Sequence, residues 1–418
     1  MPISYEVAIV GGGIAGAALA TVLARNRIPV VVLERDTVPI DRVRGEYIAP
    51  WGVVELRRLG LLGALEQAGG LFARRTIPYG EDMPGEAALP FARDLTNVLP
   101  DAPGGFCMSH PAMCATLAAE AEKLGATFLR GVDGIELSPG APPTLAFRHG
   151  EPSGNGQRVE LRPRLVIGAD GRNSQVRRLV GIPLLADPPH NLIGGMLVDG
   201  VPEWPTDTQV IGNEGRAHYL IFPQRGVGGE ARVRLYLCYD FADKAAFQGP
   251  ARRENLLATF GALASLPYAE ALGRARPIGP FNSFSNEDHW TEDPTRQGIV
   301  LIGDAAGHND PIGGQGLSIA LRDVRLVSEA ILAGRCERDA FRDYAAERLE
   351  RMRRLRVTMR FLSTLRVEFG EAARRRRQVV SRRITVDKML SPAMASLAGP
   401  EALPAEAFEQ ATLDALLA

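Results

Sequence analysis

The spacing of three glycines near the start of the chain constrains its fold more than any other feature. Val7, Ala8, Ile9 and Val10 form an apolar run that meets Gly11, Gly13 and Gly16, and a helical pattern follows with Gly16, Leu19, Ala20 and Leu23 on one face. A second apolar run, Val30 to Leu33, closes the unit on the acid Glu34. Strand, glycine turn, helix and strand in this order specify a parallel βαβ unit. Gly11 permits a tight turn, Gly13 lets a pyrophosphate reach the backbone, and Gly16 lets the helix pack closely on the strands. Glu34 lies 21 positions after Gly13, where a carboxylate at a strand end accepts ribose hydroxyl hydrogens. The unit predicts a dinucleotide site and leaves open whether the ligand is a nicotinamide or a flavin.

The rest of the chain bounds what such a site can serve. A length of 418 residues gives material for two or three domains, and 45% apolar with 23% charged residues is a globular composition. A net charge of −1 argues against general nucleic-acid binding. Lysine occurs only at Lys123, Lys244 and Lys388, which makes Schiff-base catalysis a poor expectation. Cys107, Cys114, Cys238 and Cys336 form no C-x-x-C pair and have no histidine at zinc-ligand spacing, so reduced thiols and no metal are expected. The first strand begins too early to leave room for a secretory leader, and no stretch approaches the roughly 18 apolar residues of a membrane span. The expectation is a cytoplasmic protein.

Along the chain, Val53 to Leu65 reads as an amphipathic helix pair, and 71–106 as a Pro- and Gly-rich excursion. A helix over Pro111 to Leu124 and a strand over Thr127 to Val132 come next, then a small meander (Thr144 to Phe147, Val159 to Leu161) and the strand Leu165 to Ile167. Asn191 to Tyr239 alternates as a mostly antiparallel sheet, followed by a helical region and a Pro-punctuated stretch to Pro280. Asp339 to Phe369 reads as a long Arg-rich helix with a second beyond it, and Arg374 to Arg377 as a solvated helix face.

Two further stretches carry chemistry. Gly303 and Asp304 follow the buried-type run Ile299 to Ile302, and Gly307, Gly313, Gly314 and Gly316 lead into a helix near Leu317. A strand-end aspartate can hold sugar-alcohol hydroxyls. A helix N-terminus, with about half a positive charge, suits an anion that forms and disappears, as on a reduced flavin ring. This moves the reading toward FAD. Asp170 with Gly171, Arg172, Ser174 and Arg177 is another glycine-acid turn after an apolar strand, equally readable alone as a simple turn.

In this order, VGGGIAG with ER, GADGRNSQVR and LIGDAAGHNDPIGGQGLS resemble the three signatures of the class A FAD-dependent monooxygenases, the family with the p-hydroxybenzoate hydroxylase fold. The resemblance runs from about residue 5 to about 335. It implies an α/β architecture: a Rossmann-like FAD-binding domain (GR2 type) from 1–75, 101–185 and 285–340, an inserted mostly antiparallel β-sheet substrate domain from 76–100 and 186–284, and a C-terminal helical segment over 341–418. It implies FAD held by Gly11, Gly13, Ile14, Ala15, Gly16, Glu34 and Arg35, with Arg44 near the pyrophosphate, His110 at a helix start and Val132 at the adenine. Gly303 and Asp304 would hold the ribityl chain, and Gly314, Gly316 and Leu317 would meet the pyrimidine edge of the flavin. Asp170 would serve FAD and nicotinamide handling, and Pro311 matches a proline whose carbonyl lies beside the substrate. Three positions depart from the family pattern: Gly307 precedes His308 where His often comes directly, Ser318 stands where Asn is usual, and His110–Pro111 begin a helix that commonly starts with Arg.

The expected reaction uses NADPH or NADH, held transiently, to reduce the flavin. O2 captured as a C4a-hydroperoxide would then deliver one oxygen atom to a small aromatic or polyketide-like substrate. The competing readings are a reductase of a prenyl or other unsaturated substrate and a flavin-binding protein without oxygen transfer. A halogenase is disfavoured, because Trp51, Trp204 and Trp290 form no W-x-W-x-I-P segment and no lysine precedes Lys123. The substrate is expected between the flavin and the 191–239 sheet. There Arg216, His218 and Leu220 share one strand face and Tyr219 takes the other, with His218 or Tyr219 as the expected substrate partner. Monomer and homodimer are both left open.

Overall fold

The computed structural model describes residues 5–150, 156–226, 228–384 and 391–418. Its first layer is a six-stranded sheet in the order Thr295–Arg296, Ile299–Leu301, Leu165–Gly168, Val7–Val10, Val30–Glu34, Thr127–Arg130, parallel except at the Thr295–Arg296 edge. The apolar runs are continuous because both faces are covered. Val7, Ile9, Val30 and Val32 pack under the helices Ile14–Arg25, His110–Lys123 and Gly316–Leu332, whereas Ala8, Val10, Val31 and Leu33 face a three-stranded sheet through Leu145 and Phe147. That small sheet is the expected meander, built from Asp133–Ser138, Thr144–His149 and Gln157–Leu161.

The second layer is a seven-stranded sheet in the order Arg276–Asn286, Asn191–Asp199, Ala231–Tyr239, Ala217–Arg225, Thr208–Glu214, Arg75–Ile77, Arg93–Asp94. Alternation sorts its two faces. Tyr219, Ile221, Leu235 and Leu237 pack on the helices Arg252–Gly261 and Ala269–Gly273, while Leu220, Phe222 and Cys238 face Ile312, Met359 and Leu362. The segment read as Pro-punctuated up to Pro280 is an eleven-residue strand, Arg276–Asn286. It runs at the sheet edge and bulges between Ile278 and Asn282, with Gly279 at φ +78°, so Pro277 and Pro280 interrupt no interior ladder. The excursion over 71–106 likewise contributes Arg75–Ile77 and Arg93–Asp94 to this sheet, and Leu71–Ala73 and Gly105–Cys107 to a third sheet with Tyr47–Ile48.

The long helix Arg342–Arg366 and the helix Glu371–Ile384 come next, followed by the short helices Ala395–Ala398 and Gln410–Leu417. The Arg374–Arg377 run is solvated only in part. Arg374 pairs with Asp82, and Arg377 lies 3.6 Å from Glu81, fastening this helix beside the second sheet. Among the described residues no helix is long and apolar enough to cross a membrane.

Candidate active site

One cavity of about 1280 Å3 runs from the first glycine turn to the space between the seven-stranded sheet and the C-terminal helices. At its upper end glycine is required by contact. Gly11 has φ +108°, and a Cβ there would sit 2.4 Å from the Ala169 carbonyl oxygen; at Gly16 it would sit 1.9 Å from the Gly11 oxygen. At Gly13 nothing lies within 4 Å of a Cβ position, so that backbone opens onto the cavity. The helix Ile14–Arg25 has no side-chain N-cap and no acid in its first turn, which leaves its leading N–H groups for an anion. Glu34 Oε1 and Oε2 accept the Asp36 and Gly12 N–H groups at 2.8 and 2.5 Å. The Val132 N–H is donated to the Glu34 carbonyl, so a base edge would have to meet the Val132 carbonyl. Arg35 is exposed and pairs with Asp36 at the cavity rim.

The middle of the cavity is cationic. Arg44 pairs with no carboxylate among the described residues; its guanidinium stands 5.3 Å from the centre of the Phe284 ring, and burial and then Arg172 push its pKa down to about 10. Arg172 lies 3.4 Å from Asp304. Burial pushes the Asp304 carboxyl up, but Arg172, His308 and Arg44 outweigh it and hold the group below its ordinary range. Partial burial, and then the Arg42 and Arg44 charges, push His110 down to about 4, so it is neutral near pH 7. Asp170 Oδ2 accepts the Gln175 and Val176 N–H groups at 2.6 and 3.0 Å, while its Oδ1 is buried without a partner beside the cavity. An uncapped helix start, an open Gly13 backbone and an unpaired Arg44 fit a pyrophosphate, and Asp304 at a strand end fits the polyol of a flavin dinucleotide.

The third glycine turn is held from behind by residues that sequence reasoning missed. Asp323 Oδ2 accepts the Gly303 N–H at 2.8 Å and pairs with Arg348 Nε at 3.0 Å, while Asp323 Oδ1 pairs with Arg351. Arg348 also donates to the carbonyls of Gly303, Ala306 and Gly307 at 2.9–3.1 Å. The extra Gly307 has a structural reason: at φ +110° a Cβ would meet the His289 carbonyl at 2.5 Å. His308 then stacks on His289, ring centres 4.4 Å apart, and burial with Arg172 pushes its imidazole down to about 3. Ser318 packs away from the cavity and accepts the Ala49 N–H at 3.2 Å. Pro311 lines the cavity, but its carbonyl already accepts the Gly314 N–H at 2.9 Å. Behind it, Asp310 meets His190 at 2.7 Å and Ser363 Oγ at 3.2 Å. Asp288 accepts the Asp310 N–H and the Asn309 amide, and burial followed by the Asp310 charge pushes its carboxyl up to about 7. Gly314, Gly316 and Leu317 line the cavity at the start of an uncapped helix with no acid in its first turn.

The structure thus gathers Gly11, Gly13, Ile14, Ala15, Glu34, Arg35, Arg44, His110, Val132, Asp170, Gly303, Asp304, Pro311, Gly314, Gly316 and Leu317 around one space, with Gly16 just behind it. It does not bring His218 and Tyr219 there. Tyr219 points to the opposite sheet face, its hydroxyl 3.0 Å from Ser265. His218 lies on the cavity-facing side of the strand but is wholly buried, its Nδ1 3.0 Å from Asn213 Oδ1, and burial keeps it neutral. Polar groups that do line the cavity beside this sheet include Tyr236 and Glu46, whose hydroxyl and carboxylate meet at 2.6 Å. Burial pushes the Glu46 carboxyl up against the pull of Arg234, which stands 2.5 Å away. Tyr236 belongs to the strand Ala231–Tyr239 and was foreshadowed only by the alternation of that strand.

The chain matches the model of the FAD binding domain family over residues 4–358. It is 27% identical over 328 residues to the squalene monooxygenase of Mus musculus, covering 77% of this chain and 54% of that protein, so it spans about half of that relative's length. It is 27% identical over 377 residues to the 3-demethoxyubiquinol 3-hydroxylase of Escherichia coli (strain K12), covering 84% and 85% of the two chains. Among solved structures, p-nitrophenol 4-monooxygenase PnpA from Pseudomonas putida DLL-E4 superposes with a TM-score of 0.75 at 19% identity, covering 99% of this chain and 98% of that one.

Proposed function

The chain belongs to the FAD-binding-domain family, the class A FAD-dependent monooxygenases, and from that premise we propose that it uses NADPH or NADH and O2 to insert one oxygen atom into a small, aromatic or polyketide-like substrate. The observation that carries this reading is the continuity of the cavity. The glycine turns, Arg44 and Asp304 open into the same space as an apolar chamber lined by Leu220, Phe222, Ile312 and Leu362, so cofactor and substrate share one enclosure.

Bound FAD supplies the redox chemistry, taking a hydride from the nicotinamide and activating oxygen. The chain's own residues do the rest. Gly13 and the N–H groups of the Ile14–Arg25 helix would bind the pyrophosphate with Arg44, Glu34 would accept ribose hydroxyls, and Asp304 would hold the ribityl chain. The N-terminus of the Gly316–Leu332 helix would favour negative charge at the flavin's pyrimidine edge, through aligned N–H groups with no competing acid. The sheet face and the C-terminal helices exclude water. The Tyr236 hydroxyl donates its hydrogen bond to Glu46 and keeps the proton because burial opposes ionisation, so its oxygen would accept a hydrogen bond from a substrate hydroxyl. The buried, unpaired state of all four cysteines supports a reducing, cytoplasmic setting.

The test is to purify the protein, assay bound FAD, reduce it anaerobically with NADPH or NADH, and then admit 18O2 with a panel of phenols and polyketide-like aromatics. A product carrying one 18O atom is the expected result. A colourless protein, or a flavin that reduces and reoxidises with hydrogen transfer to substrate but no 18O, would overturn the reading in favour of a non-flavoprotein or a reductase.

A further inference from the structure

The far end of the cavity holds a guanidinium without a counter-charge. Arg366, at the last turn of the helix Arg342–Arg366, lines this end together with Leu362, Leu365, Leu220 and Asn213. Several other enclosed arginines are paired with carboxylates: Arg234 with Asp41 and Glu46, Arg322 and Arg325 with Glu55, Arg348 and Arg351 with Asp323. Arg366 has no carboxylate partner and no side-chain hydrogen bond among the described residues, although its own carbonyl is tied to Asn213 Nδ2 at 2.6 Å. The charges around it sharpen the mismatch. Arg93, exposed on the edge strand of the sheet, has the Met394 sulfur as its side-chain hydrogen-bond partner among the described residues, and the two carboxylates at this end, Glu81 and Asp82, are taken by Arg377 and Arg374. The remaining titratable neighbours are His218, kept neutral by burial and by the Arg366 charge, and the buried thiol of Cys238. A half-buried guanidinium beside a second, more exposed one, with no carboxylate paired to either among the described residues, is costly unless a ligand supplies the anion.

We propose that Arg366, supported by Arg93, is the anion subsite of the substrate chamber, so that the substrate is an organic carboxylate whose acid group lies at the helix end and whose apolar body lies against Leu362 and Leu220. A planar carboxylate matches the guanidinium fork with two parallel N–H···O bonds, while the leucines give the body of the molecule no polar partner to satisfy. Burial and then the Arg93 charge lower the Arg366 pKa to about 10, which leaves it a cation at neutral pH. The proposal rests on the monooxygenase reading for what happens to the substrate, but not for its charge.

The test therefore uses binding to the oxidised FAD-loaded enzyme, without turnover. Benzoate and benzamide, the same ring with and without the charge, are titrated against the flavin absorbance and the melting temperature of the unsubstituted protein, Arg366→Met and Arg366→Lys. Benzoate is expected to bind about 10- to 100-fold more tightly than benzamide. Arg366→Met should erase that preference and Arg366→Lys retain part of it. Without ligand, Arg366→Met should melt at the same or a higher temperature, since it removes an unpaired charge that contributes nothing to the empty fold. Equal responses to the two ligands, including none to either, would overturn the proposal, as would a benzoate preference that survives Arg366→Met. A failure of the monooxygenase reading shows separately, as missing FAD or missing 18O.

Discussion

Arg44 is the residue on which we expect cofactor affinity to turn most directly, because it stands against the Phe284 ring and near Arg172 and is paired with no carboxylate among the described residues. Arg44→Ala is expected to weaken FAD binding about ten- to hundredfold, the worth of a hydrogen bond to a charged group, as read by ultrafiltration of the reconstituted protein. Asp288 governs a different property. Its carboxyl keeps a proton up to about pH 7 in the folded chain but only to its ordinary acidic value when unfolded, so across that window the folded state binds more protons and stability falls as pH rises. His190, raised by its bond to Asp310, adds a slope of the same sign. Asp288→Asn should shrink the loss of melting temperature between about pH 5 and about pH 8, seen in a pH series of thermal melts. Legibility at this scale follows the physics. Gly11 is readable because its φ and its contact with Ala169 admit no side chain, whereas Arg44 and Arg366 are spelled like the many surface arginines of this chain. His218 and Tyr219 were separable by alternation, but a strand pattern does not say which face meets the cavity.

Among the elements, the helix Arg342–Arg366 does more than its motif-free sequence suggests. It delivers Arg348 and Arg351 to Asp323 and caps the carbonyls of the Gly303 turn, joining three segments distant in sequence. Arg348→Met leaves the Asp323 charge buried with one partner fewer, and is expected to cost about 3–5 kcal/mol and to release FAD, visible as a lower melting temperature and a lower flavin content. The apolar positions at helical spacing announced the helix; the burial of its arginines was invisible, since a paired interior arginine and a solvated one differ only in their surroundings. The edge strand Arg276–Asn286 was obscured for the opposite reason. Pro277 and Pro280 are strong local signals against a strand, and only its place beside Asn191–Asp199 at the border of the sheet makes them harmless.

Over the whole molecule, two sheets and the C-terminal helices form the walls of one cavity, and loss of any wall should separate cofactor reduction from oxygen transfer. A chain ending at Gly370 keeps the glycine turns and the Arg348–Asp323 junction but loses Val380, Ala393 and Leu397 from the enclosure. It is expected to retain FAD and to convert NAD(P)H oxidation mostly into free hydrogen peroxide, measured by a peroxidase-coupled assay beside product yield. The architecture of the first sheet was open to sequence reading because each strand is a short apolar run bounded by glycine or acid. The depth of the cavity was not, since it depends on how the last quarter of the chain lies across the second sheet. That arrangement also sets a timetable for synthesis. The Gly303 turn lacks its clamp until Arg348 and Arg351 have left the ribosome, and the central strand Val7–Val10 waits for Leu165–Gly168 to complete its pairing. A nascent chain therefore is not expected to capture its flavin piecemeal: it becomes yellow only once the residues through Arg351 have emerged.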